Sequence, residues 1–325
     1  MSLIKVRFLV SDEHKAKRLD HVLATLLPLK LARPVSKAKV RKLIVAGAVY
    51  LDGKRVRIAS KELKSGAKVE VYVDIEKLFS SGADKDVFFE FKPNLVLFED
   101  DYLIVVNKPA GLPTQPTLDE ARDNLFALLK KYLGERDNEI NRYLGLHHRL
   151  DKETSGVILF TKAEEANAGV ADLFSKHLAE KTYNAITIKP QTFSRACGEG
   201  WEIKNFLGPL KELTSKKRKY GAVKSGGSFA HTSFKLLETF SSGLWLEAKP
   251  KTGRTHQIRA HLSESGMPII GDVFYGAPKS DSRLMLHALS LKFVHPVTKK
   301  EIIVKADLPE DFRTCLDNLR NRASN

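Results

Sequence analysis

His148-Arg149-Leu150-Asp151-Lys152-Glu153-Thr154-Ser155-Gly156 is the stretch on which the reading of this 325-residue chain turns. A carboxylate stands between two cations, Arg149 and Lys152, and small Thr, Ser and Gly residues follow, as in a tight loop. Directly after it, Val157 to Thr161 forms an apolar run of strand length. Taken alone, an aspartate in such a place serves a turn or a cap. Residues 163–178 set Ala166, Val170, Leu173, Phe174 and Leu178 at helical spacing and predict an amphipathic helix with those five inward. Lys181 to Ile186 predicts the next strand. Upstream, Leu95–Phe98 and Tyr102–Val106 predict two strands around an acidic turn. Asn107 to Pro113 then predicts a loop held by proline and glycine, and a helical stretch follows at about 123–133. Downstream, Leu244–Ala248 predicts a strand. Thr255 is placed to cap a helix that carries Arg259 on its first turn. Strands mixed with few helices, and no regular βα alternation, favour an α+β fold over a doubly wound sheet.

The charge is unevenly spread. Of a net +15, residues 1–80 hold +10, from 18 basic and 8 acidic residues, and residues 81–325 hold only +5. Such an excess suggests a polyanionic partner. Arg18 to Leu27 predicts a helix that Pro28 stops, and Ser36 is placed to cap a second helix running to about Ala46, with Gly47 just beyond. On that second helix Val40, Leu43 and Ile44 form the apolar stripe, while Lys39, Arg41 and Lys42 take the remaining arc. Val49-Tyr50-Leu51, the turn Asp52-Gly53 and Lys54 to Arg57 form a strong hairpin signal. Lys68 to Val73 alternates as a strand does. The domain boundary is expected near residue 80, giving a basic module at 1–80 and a larger domain at 81–325.

Several classes drop out. No apolar run approaches the roughly 18–20 residues that span a bilayer, so no membrane partner is expected. The first residues are interrupted by charge and lack a signal peptide's apolar stretch, and the expectation is a cytoplasmic protein. Cys197 and Cys315 form no CxxC pair, and ten histidines include no HExxH, so no metal is expected. Gly221 to Ser228 has a phosphate-loop outline, but Gly227 stands where the lysine must be; no nucleotide cofactor is expected.

His148 to Gly156 resembles the HRLDxxTSG signature of the RluA-type pseudouridine synthases at every fixed position. The resemblance continues in order through NKPAGL (Asn107 to Leu112), KTYNA (Lys181 to Ala185), TGRTHQIRAHL (Thr252 to Leu262), PIIGD (Pro268 to Asp272) and LHA near His287. It covers roughly residues 95–295. Residues 18–73 are similar to the S4-like RNA-binding domain, whose hairpin reads VYLDGKRV here, an arrangement common in that family. The resemblance implies a mixed, largely antiparallel sheet with flanking helices behind a small S4-like domain. It implies an isomerase, working without cofactor, that turns uridine into pseudouridine in structured RNA, ribosomal RNA of the large subunit first. Transfer RNA is the alternative target, and a non-catalytic RNA-binding factor of ribosome assembly is the alternative role. By resemblance Asp151 is the catalytic carboxylate, Arg259 its partner, Tyr183 lies against the flipped base and Arg149 fills the vacated place in the RNA. Asp151 attacks the sugar, attacks carbon 6 of the base, or removes a sugar proton; the sequence leaves the three open. Lys37, Arg41 and Lys42 are the expected phosphate contacts of the S4-like domain. His147, His148, His256 and His261 read as hydrogen-bonding scaffold. The run Lys216 to Lys219 is an extra RNA contact or a solvated loop. A monomer is expected.

Overall fold

The computed structural model describes residues 3–33, 35–75, 78, 89–116, 123–139, 142–210 and 219–321. They fall into two compact units, the first reaching Phe89 and the second made of Glu90–Gln115 and the chain from Asn124 onward. The expected boundary near residue 80 lies outside the described residues, as do Lys216, Lys217 and Arg218. Among the described residues no helix is long and apolar enough to cross a membrane.

The first unit contains β1 (Leu3–Leu9), α1 (Leu19–Leu31), α2 (Lys37–Val45), β2 (Val49–Leu51), β3 (Lys54–Val56) and β4 (Lys68–Asp74). Its sheet runs β1-β4-β2-β3, antiparallel throughout. On β4 the alternation of the sequence is realised: Val69, Val71 and Val73 are buried against Leu19, Leu23, Leu27, Val40 and Ile44 of the two helices. Each such side chain contributes about 1.5–3 kcal/mol of transfer free energy. Asp52 and Gly53 both take left-handed backbone, φ 49° and 76°, as the two-residue hairpin turn requires. Ser36 caps α2 by accepting from the Lys39 amide.

Two expectations are corrected in this unit. Pro28 does not stop α1, which runs on to Leu31 and ends at Ala32 in left-handed backbone, φ 49°. So close to the C-terminus, the missing proline N–H removes one helical bond, while the Pro28 carbonyl still accepts from Ala32. The first residues, read only as charged, form an edge strand in register with β4. Lys5 and Arg7 stand on one face, where Glu70 pairs with both, and Val6 faces the core.

In the second unit the chain runs β5 (Val96–Glu99), β6 (Leu103–Lys108), α3 (Leu125–Arg136), β7 (Gly145–Leu146), β8 (Ser155–Thr161), α4 (Asn167–Ser175), β9 (Glu180–Ile188), β10 (Gly200–Pro209) and β11 (Tyr220–Ala222). It continues with β12 (Ser228–Thr239), β13 (Gly243–Pro250), α5 (Gln257–Glu264), β14 (Leu286–Val294), β15 (Glu301–Lys305) and α6 (Glu310–Asn321). Its sheet has the order β11-β10-β12-β13-β9-β14-β8-β6-β5, with β15 on β14 and β7 on β8. Every pairing is antiparallel except β14 with β8. This is the expected α+β fold with a mixed, largely antiparallel sheet. The late strand β14 separates β8 from β9, and Ala288 on it is in register with Gly156 on one side and Tyr183 on the other.

The helix expected at 163–178 is shorter. It ends at Ser175, His177 is left-handed at φ 58°, and Leu178 is exposed rather than inward. Ala166, Val170 and Leu173 are buried as expected, and Phe174 is half-buried.

Candidate active site

Asp151 sits in the loop from β7 to β8, and that loop is tied down residue by residue. Thr114 Oγ1 donates to the Leu150 carbonyl (2.8 Å) and accepts from its amide (3.2 Å). The Lys152 carbonyl accepts from the Gly111 amide (2.9 Å) and from Lys108 Nζ (3.0 Å). Lys108 is fully buried and also donates to the carbonyls of Pro109 and Leu112. Burial pushes its ammonium down to about 7, against the negative charges of Glu153 and then Asp151, which favour the charged form. His148 accepts from the Leu159 amide and stacks on Phe174, and burial pushes it down to about 3, a neutral ring. His147 bonds to Thr161 and Asn167, and Ser155 to His287. At the end of the loop Gly156 has φ 114°, and a Cβ there would lie 2.1 Å from the Ala288 carbonyl oxygen. Only glycine lets β14 close against this corner.

The arginine arrives from 108 residues downstream. Arg259 lies on the first turn of α5 and donates through Nη1 to Asp151 Oδ2 at 3.1 Å. Its Nε and Nη2 grip both oxygens of Asp272 at 2.7 and 2.8 Å, a bidentate pair that fixes the guanidinium plane. Burial opposes the charge on Arg259, but Asp272 and then Asp151 more than offset it and hold the group above its ordinary value. Tyr275 lies beneath, its ring centroid 4.8 Å from the guanidinium carbon. Asp272 follows Gly271, which has φ 81° and where a Cβ would lie 1.9 Å from the Arg283 carbonyl oxygen, so that only glycine fits. Asp151 Oδ1 has no hydrogen-bond partner among the described residues.

Thr255 is not the cap of α5. The capping position is His256 in left-handed backbone, φ 54°, with no side-chain cap, because Gln257 does the local tying. Its Oε1 accepts from the Arg254 amide and the Thr252 hydroxyl. His256 bonds to the Tyr275 hydroxyl (3.0 Å) and brings Nε2 to 3.6 Å from Asp151 Oδ2. Burial holds its imidazole below the usual range despite that carboxylate.

Asp151, Arg259, Tyr183 and Arg149 all line one cavity of about 740 Å³. Tyr183 projects from β9, packs against the core, and has its hydroxyl pushed up by burial and then by the negative charge of Asp151. Arg149 is exposed and makes no hydrogen bond or ion pair to a described residue, while both its neighbours in the loop are tied. An ion-paired carboxylate, a half-buried tyrosine and an untethered arginine thus share one cavity.

Residues 102–264 match the model of the RNA pseudouridylate synthase family, and residues 17–69 match the S4 domain. The chain belongs to the RNA pseudouridylate synthase family. The synthase is 31% identical to ribosomal large subunit pseudouridine synthase D of Xanthomonas campestris, over 96% of this chain and 91% of that one. It is 30% identical to ribosomal large subunit pseudouridine synthase C of Escherichia coli, over 98% and 97%. Among solved structures it resembles human RNA pseudouridylate synthase domain containing 4, at TM-score 0.56 and 26% identity, over 70% of this chain and 93% of that one.

The other residues singled out in the synthase sequence are in the first unit. Lys37 opens α2 half-buried, and Lys42 is exposed. Arg41 is turned inward: its Nε donates to the buried Asp20 at 2.8 Å. Sequence reasoning assigned no role to Asp272, Lys108 or Tyr275. The first two stood inside quoted motifs, at GD after an apolar run and at KP before a loop. Tyr275 carried no signal. Of the histidines read as scaffold, His147, His148 and His261 are held by hydrogen bonds, whereas His256 also faces Asp151.

Proposed function

We propose that this synthase isomerises uridine in large-subunit ribosomal RNA, with Asp151 as the catalytic carboxylate. The observation that carries the assignment is the 3.1 Å contact of Asp151 with Arg259 in the cavity that Tyr183 also lines. Isomerisation breaks the bond from ribose carbon 1 to the base nitrogen, turns the uracil and joins the same sugar carbon to carbon 5. The proton on carbon 5 is lost and one is gained on the freed nitrogen, so the composition is unchanged. A carboxylate serves as nucleophile or base only if it is held toward the target. Arg259 orients it through one oxygen and leaves the other open.

Uracil in structured RNA must leave the stack, at a cost of a few kcal/mol. Stacking on the Tyr183 ring supplies about 1–3 kcal/mol in return. Arg149, untethered at the mouth of the loop, fills the gap left behind. Lys37 and Lys42 of the S4 domain, with Arg41 as a lesser contributor, provide sequence-blind attraction to phosphates. The large-subunit target is supported by the names of the full-length relatives. The enzyme is assigned to the cytoplasm as a monomer. Pseudouridine mapping of ribosomal and transfer RNA, from cells with the gene, without it, and with Asp151→Asn in its place, is the test. Loss of specific ribosomal sites in the last two is expected. Loss confined to transfer RNA overturns the target, and sites retained in the Asp151→Asn cells overturn the role of Asp151.

A further inference from the structure

Lys181 is a lysine of the cavity wall that the uridine chemistry described above does not use. It precedes Tyr183 by two residues on β9, so the two side chains leave the same face of the strand about 7 Å apart. Both line the cavity. Lys181 is half-buried, and its ammonium makes no hydrogen bond or ion pair with any described residue. A Cβ on Gly253 would lie 3.8 Å from Lys181 Nζ, which sets the ammonium against the turn that carries Arg254. Arg254 is exposed at the same cavity; its Nε donates to the Phe229 carbonyl at 2.8 Å, and its terminal nitrogens have no partner among the described residues. His177, also on the lining, feels the positive charge of both, which adds to burial in holding its imidazole below the usual range. Two cations therefore line one cavity and both act on His177, and no carboxylate among the described residues is ion-paired with either.

We propose that Lys181, with Arg254 beside it, forms a subsite for one of the two phosphates that flank the uridine lying against Tyr183. The assignment rests on the uridine-isomerising function above. A partly desolvated ammonium with three donors and no acceptor partner suits a phosphate oxygen, and a uracil face offers it no charge. The spacing along β9 divides the work within one nucleotide: the ring takes the base while the ammonium two residues earlier takes the backbone.

The experiment compares the wild type, Lys181→Met and Lys181→Arg on a structured RNA substrate. Three RNAs are used: unmodified, or with a neutral methylphosphonate linkage 5′ or 3′ to the target uridine. Lys181→Met is expected to raise KM about tenfold, the size of one charge-assisted hydrogen bond, and to leave kcat within about twofold. Lys181→Arg is expected to restore most of the loss. One of the two neutral linkages should weaken the wild type equally and cost Lys181→Met nothing further. The slope of log Kd against log salt should fall by about 0.7–0.9 in Lys181→Met. Equal losses from both neutral linkages in wild type and Lys181→Met overturn the subsite, as does a fall in kcat at unchanged KM. If the wild type turns over none of these RNAs, the proposed function fails separately. Direct Kd values on the same three RNAs still decide the subsite, and a wild-type Kd indifferent to both neutral linkages rejects it.

Discussion

Asp20 in the first unit and Asp151 in the second are both aspartates held by arginine, and they differ in what is left over. Asp20 is fully buried and accepts from Arg18 through both oxygens, at 3.1 Å each, and from Arg41 at 2.8 Å. Burial pushes its pKa up, but Arg18 and Arg41 more than offset that and hold it below the ordinary value. Asp151 is partly exposed, takes one hydrogen bond on one oxygen, and shares its arginine with Asp272. A saturated carboxylate fastens a fold, whereas one with an open oxygen, oriented by a borrowed cation, is available to a substrate. The same two residue types serve both ends, and the count of partners separates them.

That contrast breaks most readily at Asp151. Asp151→Asn should reduce pseudouridine formation by more than about a thousandfold, the loss expected of a group that reacts. It should leave the affinity for RNA within a few-fold. Release of tritium from RNA carrying 5-tritiated uridine measures the first and filter binding the second; turnover above a hundredth of wild type would contradict the assignment. Asp20→Ala should do the opposite. It removes one partner of a buried ion pair and should cost the first unit about 3–5 kcal/mol. Hydrogen exchange of the α1 and α2 amides would report it, and unaltered protection would show that Asp20 is not the fastening it resembles.

The two units should also part company in acid. His148 is pushed down to about 3, and His261 and His287 to about 4, each by burial first. The unfolded chain therefore binds protons that the folded second unit refuses. Its stability should fall as pH drops from about 6.5 toward 4, by up to about 1.4 kcal/mol per pH unit for each histidine. The lowered pKa of Asp20 acts in another window: its stabilisation is kept above about pH 4 and lost only below that. Trp201 and Trp245 both lie in the second unit, so the urea midpoint of tryptophan fluorescence at pH 7, 6 and 5 follows that unit directly. A midpoint constant over that range would mean that the histidines do not set it. The smallest effect is expected from Lys37→Ala and Lys42→Ala, each weakening RNA binding a few-fold and lowering the salt slope by about 0.9. Turnover at saturating RNA should not change, and a lowered kcat would move those lysines out of a purely electrostatic role.

Much of this was legible in local patterns. The β2–β3 hairpin follows from Asp52-Gly53, the cap of α2 from Ser36, and the core face of β4 from alternating valines. These are features whose cause lies within a few residues. What escaped depends on distant partners. β1 was read only as a stretch interrupted by charge because Glu70, which pairs with Lys5 and Arg7, is more than sixty residues away. Pro28 looked like a stop because a proline is costly mid-helix but tolerable in a last turn, and the position of that turn is set by packing. Asp151 and Arg259 were reached through family resemblance, since nothing local to either reveals the other. Asp272 was missed because its role is to hold a side chain that holds another.

The placement of β14 has a consequence for how the enzyme comes into being. Synthesis proceeds from the N-terminus, so Asp151 and Tyr183 leave the ribosome long before Arg259, Asp272 and the strand at Leu286–Val294 that lies between theirs. Until that strand inserts, β8 and β9 have no common neighbour, and the aspartate has no arginine. On the roles proposed for Asp151 and Arg259, a growing or truncated chain that lacks β14 is expected to form no pseudouridine in the RNA around it. Competence arrives in one late step, when the last central strand joins two halves already made.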